Sequence, residues 1–376
     1  MGRHLVIVGG GHAHLTVLTR LRDFTGAGHR VTLVSPSPYH YYSGMGPGML
    51  SGIYRPQEIR FHVGRMAQDR GAEFITALVS KIDPVRKILH LSDGSILEYD
   101  IASFNTGSDV SMDLPVSLSV EGVFSVKPVD RLYAFRRAVL EGRFEKKVRI
   151  VVVGGGPAGV EVSSNARMLL DGARISGSIT LVGGRRVLGG FPPRVRQLAI
   201  KSLASKKVRI LEGITAVSIR PQVVELSDGN TLPRDFVVVA VGVRPSTLYR
   251  DSGLPVGSDG GMLVNAYLQS VRFPELFGGG DCICLEGHRL ARVGVYAVRQ
   301  NRILHHNLMS ALEGGDFLSF HPGGDYLLIM NMGEGKGIAW KKDIVWNGRL
   351  AFLLKDLVDR RFVRKFQVSG EKDEME

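Results

Sequence analysis

Cysteine is nearly absent from this 376-residue sequence: the chain contains Cys282 and Cys284, and residues 1–281 contain none. Two cysteines separated by a single residue provide neither a disulfide framework nor a C-x-x-C pair. Thiol–disulfide chemistry within residues 1–281 is therefore excluded by composition. We interpret both cysteines as small buried residues, and a redox-sensitive C-x-C pair is the alternative.

Long apolar runs are also absent. The longest, FVVVAVGV from Phe236, falls well short of the roughly 20 residues that a membrane-spanning helix needs, and its β-branched residues are typical of a buried parallel strand. The N-terminus, MGRHLVIV, lacks the basic region, apolar core and cleavage site of a secretory signal. We therefore expect a cytoplasmic protein that does not cross a membrane but can lie on the inner face of the cell membrane.

Acidic residues are fewer than basic ones. The chain has 36 Asp and Glu against 48 Lys and Arg, a formal net charge of +12. This balance favours acidic partners, namely nucleotides, nucleic acid or an anionic membrane surface, without choosing among them. Hydrophobic residues make up 44% of the chain, enough for a full core, and the length suggests two domains or one elaborated domain.

What the sequence does contain is a pair of glycine-rich turns. The first, GGGHAH at residues 9–14, follows the apolar run HLVIV and has the position of a dinucleotide-binding turn. Gly9 and Gly11 stand where such a turn needs a tight bend and a close approach of the backbone to a pyrophosphate. His14 replaces the third glycine, which serves helix–strand packing. For His12 and His14 two interpretations stay open: a cationic or proton-relaying role near the pyrophosphate or flavin, or local packing.

The second turn follows the β-branched run VRIVVV and has the complete spacing, Gly154, Gly156 and Gly159, before a helical pattern. In addition, LSDG occurs at Leu91–Gly94 and again at Leu226–Gly229. Because Asp-Gly between alternating apolar segments predicts a hairpin, each half of the chain is expected to carry a β-meander. The duplication predicts two nucleotide sites, one for a flavin dinucleotide and one for a nicotinamide dinucleotide.

Four further stretches carry a family resemblance. Gly280 and Asp281 follow the apolar strand in ELFGGGDC, and the others are YYSGMGPGMLSGIY (41–54), RVGVYAVRQ (292–300) and LLKDLVDRRFVRKF (353–366). Together with the two turns, this order resembles the two-dinucleotide-domain flavoproteins of the pyridine nucleotide-disulfide oxidoreductase superfamily. Within it, the chain is most similar to type II NADH dehydrogenases and to the NADH dehydrogenase-like modules fused to selenide, water dikinase.

The resemblance implies an α/β fold with two Rossmann-like domains, each with a β-meander. The FAD domain comprises residues 1–115 and 250–320, and the NAD(P)H domain, residues 116–249, is inserted in it. A C-terminal segment, residues 321–376, carries an amphipathic helix and provides the acceptor site and a membrane-surface or dimer contact.

FAD is assigned to the first turn and to the late Gly-Asp pair. The resemblance implies that Asp281 hydrogen-bonds the ribityl chain. Ser35 ends the strand RVTLV, where a ribose-binding acid is usual, and its hydroxyl can still donate to the ribose. The expected FAD contacts are Gly9, Gly11, His12, His14, Ser35, Pro47, Val79, Thr106, Gly107, Gly280 and Asp281.

NAD(P)H is assigned to the second turn. After the strand SITLV the position of the ribose-binding acid holds Gly183, so the carboxylate that would repel a 2′-phosphate is missing. Arg185 and Arg186 add cations that can attract such a phosphate, and NADH and NADPH both stay open. The expected NAD(P)H contacts are Gly154, Gly156, Gly159, Arg185, Arg186 and Gly242.

Glu161 is the candidate catalytic residue, because it matches by position the acidic residue that the family has near the nicotinamide. Its alternative interpretation is a carboxylate stabilised by the dipole in the first turn of a helix.

The acceptor side is expected on the helix after Asp281. The motif A-Q-x-A-x-Q of type II NADH dehydrogenases corresponds to Gly294–Arg299, where both glutamines are replaced and Ala297 is kept, with Gln300 one residue late. We expect the acceptor pocket to be lined by Tyr296, Ala297 and Gln300.

The C-terminal tail predicts a basic amphipathic helix, which suits either an anionic bilayer surface or docking on the flavin domain. The apolar residues that fall near one helical face are Leu350, Leu353, Leu354, Leu357, Val358, Phe362 and Phe366.

Together these features predict an FAD-dependent NAD(P)H dehydrogenase that passes hydride to the flavin and then electrons to a quinone-like acceptor, without a redox disulfide. The alternatives are a flavoprotein reductase of a small electron-transfer protein and a low-turnover, flavin-binding regulatory module linked to selenium metabolism. A homodimer and an anionic membrane surface are candidate partners, and neither a metal nor nucleic acid is expected.

Overall fold

The computed structural model describes residues 2–110 and 120–374. The predicted domain boundary between residues 115 and 116 lies outside the described residues, as do residues 375–376 at the end of the C-terminal segment.

The strands are β1 (His4–Val8), β2 (Arg30–Ser35), β3 (His40–Tyr41), β4 (Arg60–Phe61), β5 (Glu73–Thr76), β6 (Val79–Asp83), β7 (Ile88–Leu91), β8 (Ile96–Glu98), β9 (Ile101–Phe104), β10 (Asp109–Val110), β11 (Val123–Ser125), β12 (Val148–Val153), β13 (Gly177–Val182), β14 (Arg209–Leu211), β15 (Ala216–Ile219), β16 (Val223–Leu226), β17 (Thr231–Pro233), β18 (Phe236–Val239), β19 (Val243–Arg244), β20 (Met262–Val264), β21 (Leu276–Gly278), β22 (Ile283–Leu285), β23 (Leu328–Asn331), β24 (Gly337–Lys341) and β25 (Ile344–Gly348).

The α-helices are α1 (Leu15–Thr19), α2 (Leu21–Gly26), α3 (Gly46–Ser51), α4 (Val63–Gln68), α5 (Asp130–Glu141), α6 (Pro157–Gly172), α7 (Pro193–Ser205), α8 (Leu248–Asp251), α9 (Gly294–Glu313) and α10 (Arg349–Phe366). Single turns of 3-10 helix occur at His12–His14, Ser43–Met45, Pro56–Glu58, Gly280–Cys282 and Glu371–Asp373.

Two five-stranded parallel sheets form the centre of the molecule. The first has the order β21-β9-β1-β2-β5 and the second the order β11-β18-β12-β13-β14. In each sheet the strand before a glycine-rich turn, β1 or β12, lies between two parallel neighbours, and most of its side chains are buried, as is usual for a central parallel strand. The predicted α/β fold with two Rossmann-like units is thus confirmed.

The chain completes four strands of the first sheet, builds the second sheet, and then returns to add β21 beside β9. Parallel strands place their carboxyl ends at one edge. The late Gly280-Asp281 pair, which follows β21, therefore reaches the same edge as the turn after β1. This path explains in structural terms why two segments so distant in sequence can share one site.

Each sheet is accompanied by a three-stranded antiparallel meander, β6-β7-β8 or β15-β16-β17. The repeated LSDG forms the turn in both, and its glycine has a positive φ, +87° at Gly94 and +83° at Gly229, which favours glycine. A register irregularity also recurs at the same place, between Val79 and Lys81 and between Ala216 and Ser218. The predicted duplication therefore extends to a shared local bulge.

The C-terminal segment forms an antiparallel sheet, β23-β24-β25, on which α10 packs. On the inward side of α10, Val363 and Phe366 are buried and Phe362 is partly buried. The expectation of a single apolar face was wrong in this respect, because the phenylalanines turn inward while the leucines turn outward. The exposed apolar residues are Leu350, Leu353, Leu354, Leu357 and Val358.

Candidate active site

The first glycine-rich turn lies against the end of β9. Gly9 has φ of +85°, and a Cβ atom there would collide with the carbonyl oxygen of Asn105. A Cβ atom on Gly11 would overlap Oδ1 of the same asparagine. The Asn105 amide also donates to the carbonyl oxygen of Gly279, so one side chain ties the ends of β1, β9 and β21 together. The turn is a cradle that a side chain would fill, as a pyrophosphate site requires.

His14 lies beneath this turn and is completely buried. Its Nδ1 donates to the carbonyl oxygen of Gly9 at 2.6 Å, and its Nε2 accepts from the Ser103 hydroxyl at 2.9 Å. Burial lowers the pKa of His14 to about 4, although the hydrogen bond to Gly9 opposes this. The histidine is therefore neutral at pH 7 and joins the turn to β9. Its placement indicates the packing role and leaves it no exposed surface for the FAD contact that we had expected.

His12, in contrast, has an unsatisfied atom at the site. Its Nε2 is buried without a hydrogen-bond partner in the described residues, and its Nδ1 lies 3.2 Å from Nε2 of His40. Burial and, to a smaller extent, the charge of Lys127 lower the pKa of His12 to about 4. A neutral ring with a free nitrogen beside the turn fits a ligand hydrogen bond, so the predicted contact of His12 with FAD stays a prediction that the geometry supports.

Asp281 is held from two sides. Its Oδ2 accepts from the Ser108 hydroxyl at 2.9 Å and lies 2.5 Å from Nζ of Lys127, while Arg292 donates to its backbone carbonyl. Lys127 follows β11 and was missed by sequence analysis, because an isolated lysine before a proline carries no motif. Asp281 and Lys127 thus form a carboxylate–ammonium pair at the edge of the first sheet where FAD is predicted to bind.

Two of the three expected acceptor residues support the Gly280-Asp281 turn instead. Oε1 of Gln300 accepts from the backbone N–H of Gly280 at 2.6 Å, and both Gln300 and Ala297 are buried against this turn. Tyr296 is partly buried and contacts the ring of Tyr326 edge-on at 5.9 Å. The acceptor role of Tyr296, Ala297 and Gln300 stays a prediction.

The remaining expected FAD residues occupy several surroundings. Thr106 shares a hydrogen bond of 2.8 Å with the hydroxyl of Tyr249, a fully buried residue that sequence analysis missed. Ser35 is buried and donates to the carbonyl oxygen of Ser37. Pro47 is buried in α3, Val79 begins β6, and Gly107 has a positive φ after β9. Their contact with FAD stays a prediction.

Neither cysteine is placed for thiol–disulfide chemistry. Cys282 is fully buried, Cys284 is partly buried, and burial raises the pKa of both thiols. Since the thiolate is the reactive form, neither is activated.

A cavity of about 380 Å³ lies at the carboxyl ends of β12, β13 and β18. Gly154 and Gly242 line it, and a Cβ atom on Gly154 would collide with the carbonyl oxygen of Ala240. Gly159 lies so close to Gly154 that a side chain there would overlap the carbonyl oxygen of Gly154, which is the close packing that the third glycine serves. Gly156 precedes α6 with open space around it. The geometry fits the predicted NAD(P)H pyrophosphate.

The loop after β13 is electropositive. Arg185 and Arg186 are exposed there. The nearby carboxylate of Glu212 is already engaged by the backbone N–H of Val187 at 2.6 Å and by Arg196 at 2.6 Å. Because Glu212 is already paired, it does not present a free carboxylate that would repel a 2′-phosphate at this loop. The choice between NADH and NADPH therefore stays open.

Glu161 lies where α6 meets the C-terminal segment. Its Oε1 accepts from the backbone N–H of Asn331 at 2.7 Å. Burial raises the pKa of Glu161 to about 7, with the charge of Lys355 lowering it and that of Asp359 raising it. A buried carboxyl group with a pKa near neutrality supports the functional interpretation over that of a helix-dipole carboxylate, and the role of Glu161 near the nicotinamide stays a prediction.

Helix α10 delivers its charged side to this junction. Lys355 donates to Asp359 at 2.6 Å and to the carbonyl oxygen of Gly44 at 2.6 Å. The hydroxyl of Tyr42 donates to Asp359 at 3.0 Å, and Tyr42 stacks on Phe362 with ring centroids 4.8 Å apart. The polar side of α10 therefore faces Glu161 and the loop that carries Tyr42 and Gly44, called here the flavin-side loop because it belongs to the predicted FAD domain, while its leucines face outward.

Two parallel sheets, each with a glycine-rich turn after its central strand, are the architecture of a flavin- and nicotinamide-dependent oxidoreductase. The chain belongs to the pyridine nucleotide-disulphide oxidoreductase family, whose model matches residues 3–306. This membership confirms FAD and NAD(P)H, as predicted.

The chain is 26% identical over 348 residues to ferroptosis suppressor protein 1 of Taeniopygia guttata, covering 89% of this chain and 87% of that protein. It is 24% identical to the type II NADH:quinone oxidoreductase of Staphylococcus saprophyticus, with 96% of each covered. Its fold matches that of NDH2 from Plasmodium falciparum in complex with NADH, with a TM-score of 0.79 at 13% identity over 99% of this chain and 98% of that one. The likeness to dikinase-fused modules stays a prediction.

The buried hydrogen bonds of His14 generate a stability prediction. His14→Ala should lower the free energy of unfolding by about 2–4 kcal/mol, because it leaves a cavity and unpairs a buried hydroxyl. The folded-state pKa of about 4 lies below the unfolded value of 6.5, so the contribution of His14 is present above pH 6.5 and is lost as the pH falls towards 4. Urea unfolding at pH 7 and pH 5 measures both effects.

The exposed His321 provides the control for this prediction. His321→Ala should change stability by less than about 0.5 kcal/mol. Equal stability of the His14 and His321 variants at pH 7 would contradict the packing role.

Proposed function

We propose that this protein oxidises NAD(P)H and reduces a quinone through FAD, while α10 rests on an anionic membrane surface. The observation that carries the proposal is the two-sided character of α10. One side bonds to the flavin-side loop through Lys355 and Asp359, and the other exposes leucines, with Leu350 77% and Leu357 66% exposed. Relatives of this chain include a type II NADH:quinone oxidoreductase.

The protein's part in the reaction is to position the reactants. The backbone at Gly9 and Gly11 would hold the pyrophosphate of FAD, and Asp281 would meet the ribityl chain. The cavity at Gly154 and Gly242 would hold NAD(P)H. When bound, FAD supplies a group that takes a hydride and gives up two electrons. NAD(P)H loses a hydride, which amounts to two electrons and one proton. The quinone gains two electrons and two protons, so the second proton comes from solvent.

Glu161 acts on the nicotinamide side. As the hydride departs, positive charge develops on the nicotinamide ring, and an ionised carboxylate nearby stabilises that charge. Because the pKa of Glu161 is about 7, the fraction in the active, ionised form increases through neutral pH.

The exposed leucine face supports the proposed contact of α10 with a membrane surface. The leucines lie at spacings of three and four residues along α10, and Arg361, Arg364 and Lys365 are exposed at its C-terminal end. Apolar and basic residues together match an anionic bilayer surface in hydrophobicity and in charge. No helix in residues 2–110 or 120–374 has the length and hydrophobicity needed to cross a bilayer.

The first test is turnover. The purified protein with FAD should oxidise NADH or NADPH rapidly with a short-chain quinone, and much more slowly with a disulfide or without an acceptor. Faster reduction of a ferredoxin than of the quinone would favour the reductase of an electron-transfer protein. Negligible turnover with every acceptor would favour the regulatory flavoprotein.

Glu161→Gln should lower kcat/KM for NAD(P)H by about 100-fold. The wild-type kcat/KM should increase with pH around 7, whereas the variant should be flat there. Asp171→Asn is the matched control, since Asp171 is an exposed carboxylate on the same helix. A pH profile that is unchanged by Glu161→Gln would refute the assigned role.

Leu353→Glu combined with Leu357→Glu should abolish sedimentation with phosphatidylglycerol vesicles, because two charges would have to enter the apolar interface. Leu140→Glu with Leu318→Glu, which alters exposed leucines outside α10, should leave sedimentation unchanged. If light scattering instead shows a wild-type dimer that only the α10 variant dissociates, the leucines contact a second copy of the chain.

A further inference from the structure

A second cavity, of about 150 Å³, lies beside the exposed face of α10. Its walls come from α10, from Arg55 and Glu58 at the turn Pro56–Glu58, and from Lys372 in the turn Glu371–Asp373. The cations that line it are Arg55, Arg360, Arg364 and Lys372. Its size is below the roughly 300–1,000 Å³ of a pocket for a drug-sized ligand, so it suits a small group.

Two of the four cationic side chains in this cavity have no ion-pair partner among the described residues. Glu58 is the carboxylate in the wall, and it is shared: its Oε1 accepts from Arg360 at 3.1 Å, and its Oε2 lies 3.7 Å from Nε of Arg55. Arg360 also pairs with Asp356 at 2.9 Å. Arg364 has no ion-pair partner among the described residues, and the same holds for Lys372, so the cavity favours an anion.

Arg364 lies next to both the cavity and the leucine face. Arg364 follows Leu357 by seven residues, two turns along the same side of α10, and it also lines the cavity. An anion in the cavity would therefore lie next to the apolar face, at the level where lipid headgroups lie when that face enters the acyl boundary.

We propose that this cavity binds the phosphate group of an anionic phospholipid headgroup and thereby fixes α10 on the membrane. The inference rests on the proposed membrane-surface function. Arginine and lysine are the side chains that pair with phosphate oxygens, arginine by two parallel N–H donors. Arg360, held by Glu58, Asp356 and the ring of Tyr54 at 5.1 Å, provides a fixed donor, and Arg364 and Lys372 close around the phosphate.

The experiment compares two double variants that remove equal charge. Arg364→Ala with Lys372→Ala changes the cavity, and Arg361→Ala with Lys365→Ala removes two exposed cations of α10 that do not line it. Binding of the FAD-loaded protein to phosphatidylglycerol vesicles and to phosphatidylcholine vesicles is measured by sedimentation. The cavity variant should lose roughly tenfold more affinity for phosphatidylglycerol than the matched variant. Unfolding temperatures of both variants check that the fold is retained.

Three outcomes would overturn the proposal. Equal losses in the two variants would show that diffuse surface charge suffices, and this inference alone would fail. Absence of wild-type binding to either vesicle would show that the proposed membrane function itself fails. Stabilisation of the wild type by inorganic phosphate at constant ionic strength, lost in the cavity variant while vesicle binding is unaffected, would assign the cavity to a soluble phosphate.

Discussion

The structure depends on how closely the backbone after β1 approaches the end of β9. Side chains at Gly9 and Gly11 would overlap Asn105, and Asn105 in turn bonds to Gly279 at the end of β21. The first sheet therefore brings together β1, its first strand in the sequence, and β21, its last, on the two sides of β9. Because Gly280 and Asp281 follow β21, the position of Asp281 depends on this steric constraint as well as on its pairing with Lys127.

The second organising feature is the orientation of α10. A helix in a globular protein usually turns its apolar side to the core. Here Lys355, Asp356 and Asp359 face the protein and bond to tyrosines and a backbone carbonyl, while leucines face outward. Burial of the charged side is possible because each charge is paired, whereas the leucines are left exposed. The helix therefore lies between the neighbourhood of Glu161 and an exposed apolar face.

Much of this could be predicted from sequence because the relevant signals are local. Glycine spacing, the repeated LSDG and the late Gly-Asp pair each report on a turn of a few residues. The features that sequence could not resolve depend on tertiary neighbours. His14 occupies a glycine position because Ser103 and the carbonyl of Gly9 satisfy both of its nitrogens, and Gln300 serves the turn at Gly280. Lys127, an isolated cation, acquires meaning only beside Asp281.

The thickness of α10 has a consequence for a lipid-soluble acceptor. An α-helix with its side chains is about 10–12 Å across, and the exposed Leu357 and the inward-facing Lys355 lie on opposite sides of it. A quinone dissolved in the bilayer at the leucine face would be one helix diameter from the side chains that surround Glu161. On the proposed membrane surface, such an acceptor would have to cover only the radial distance across this single helix.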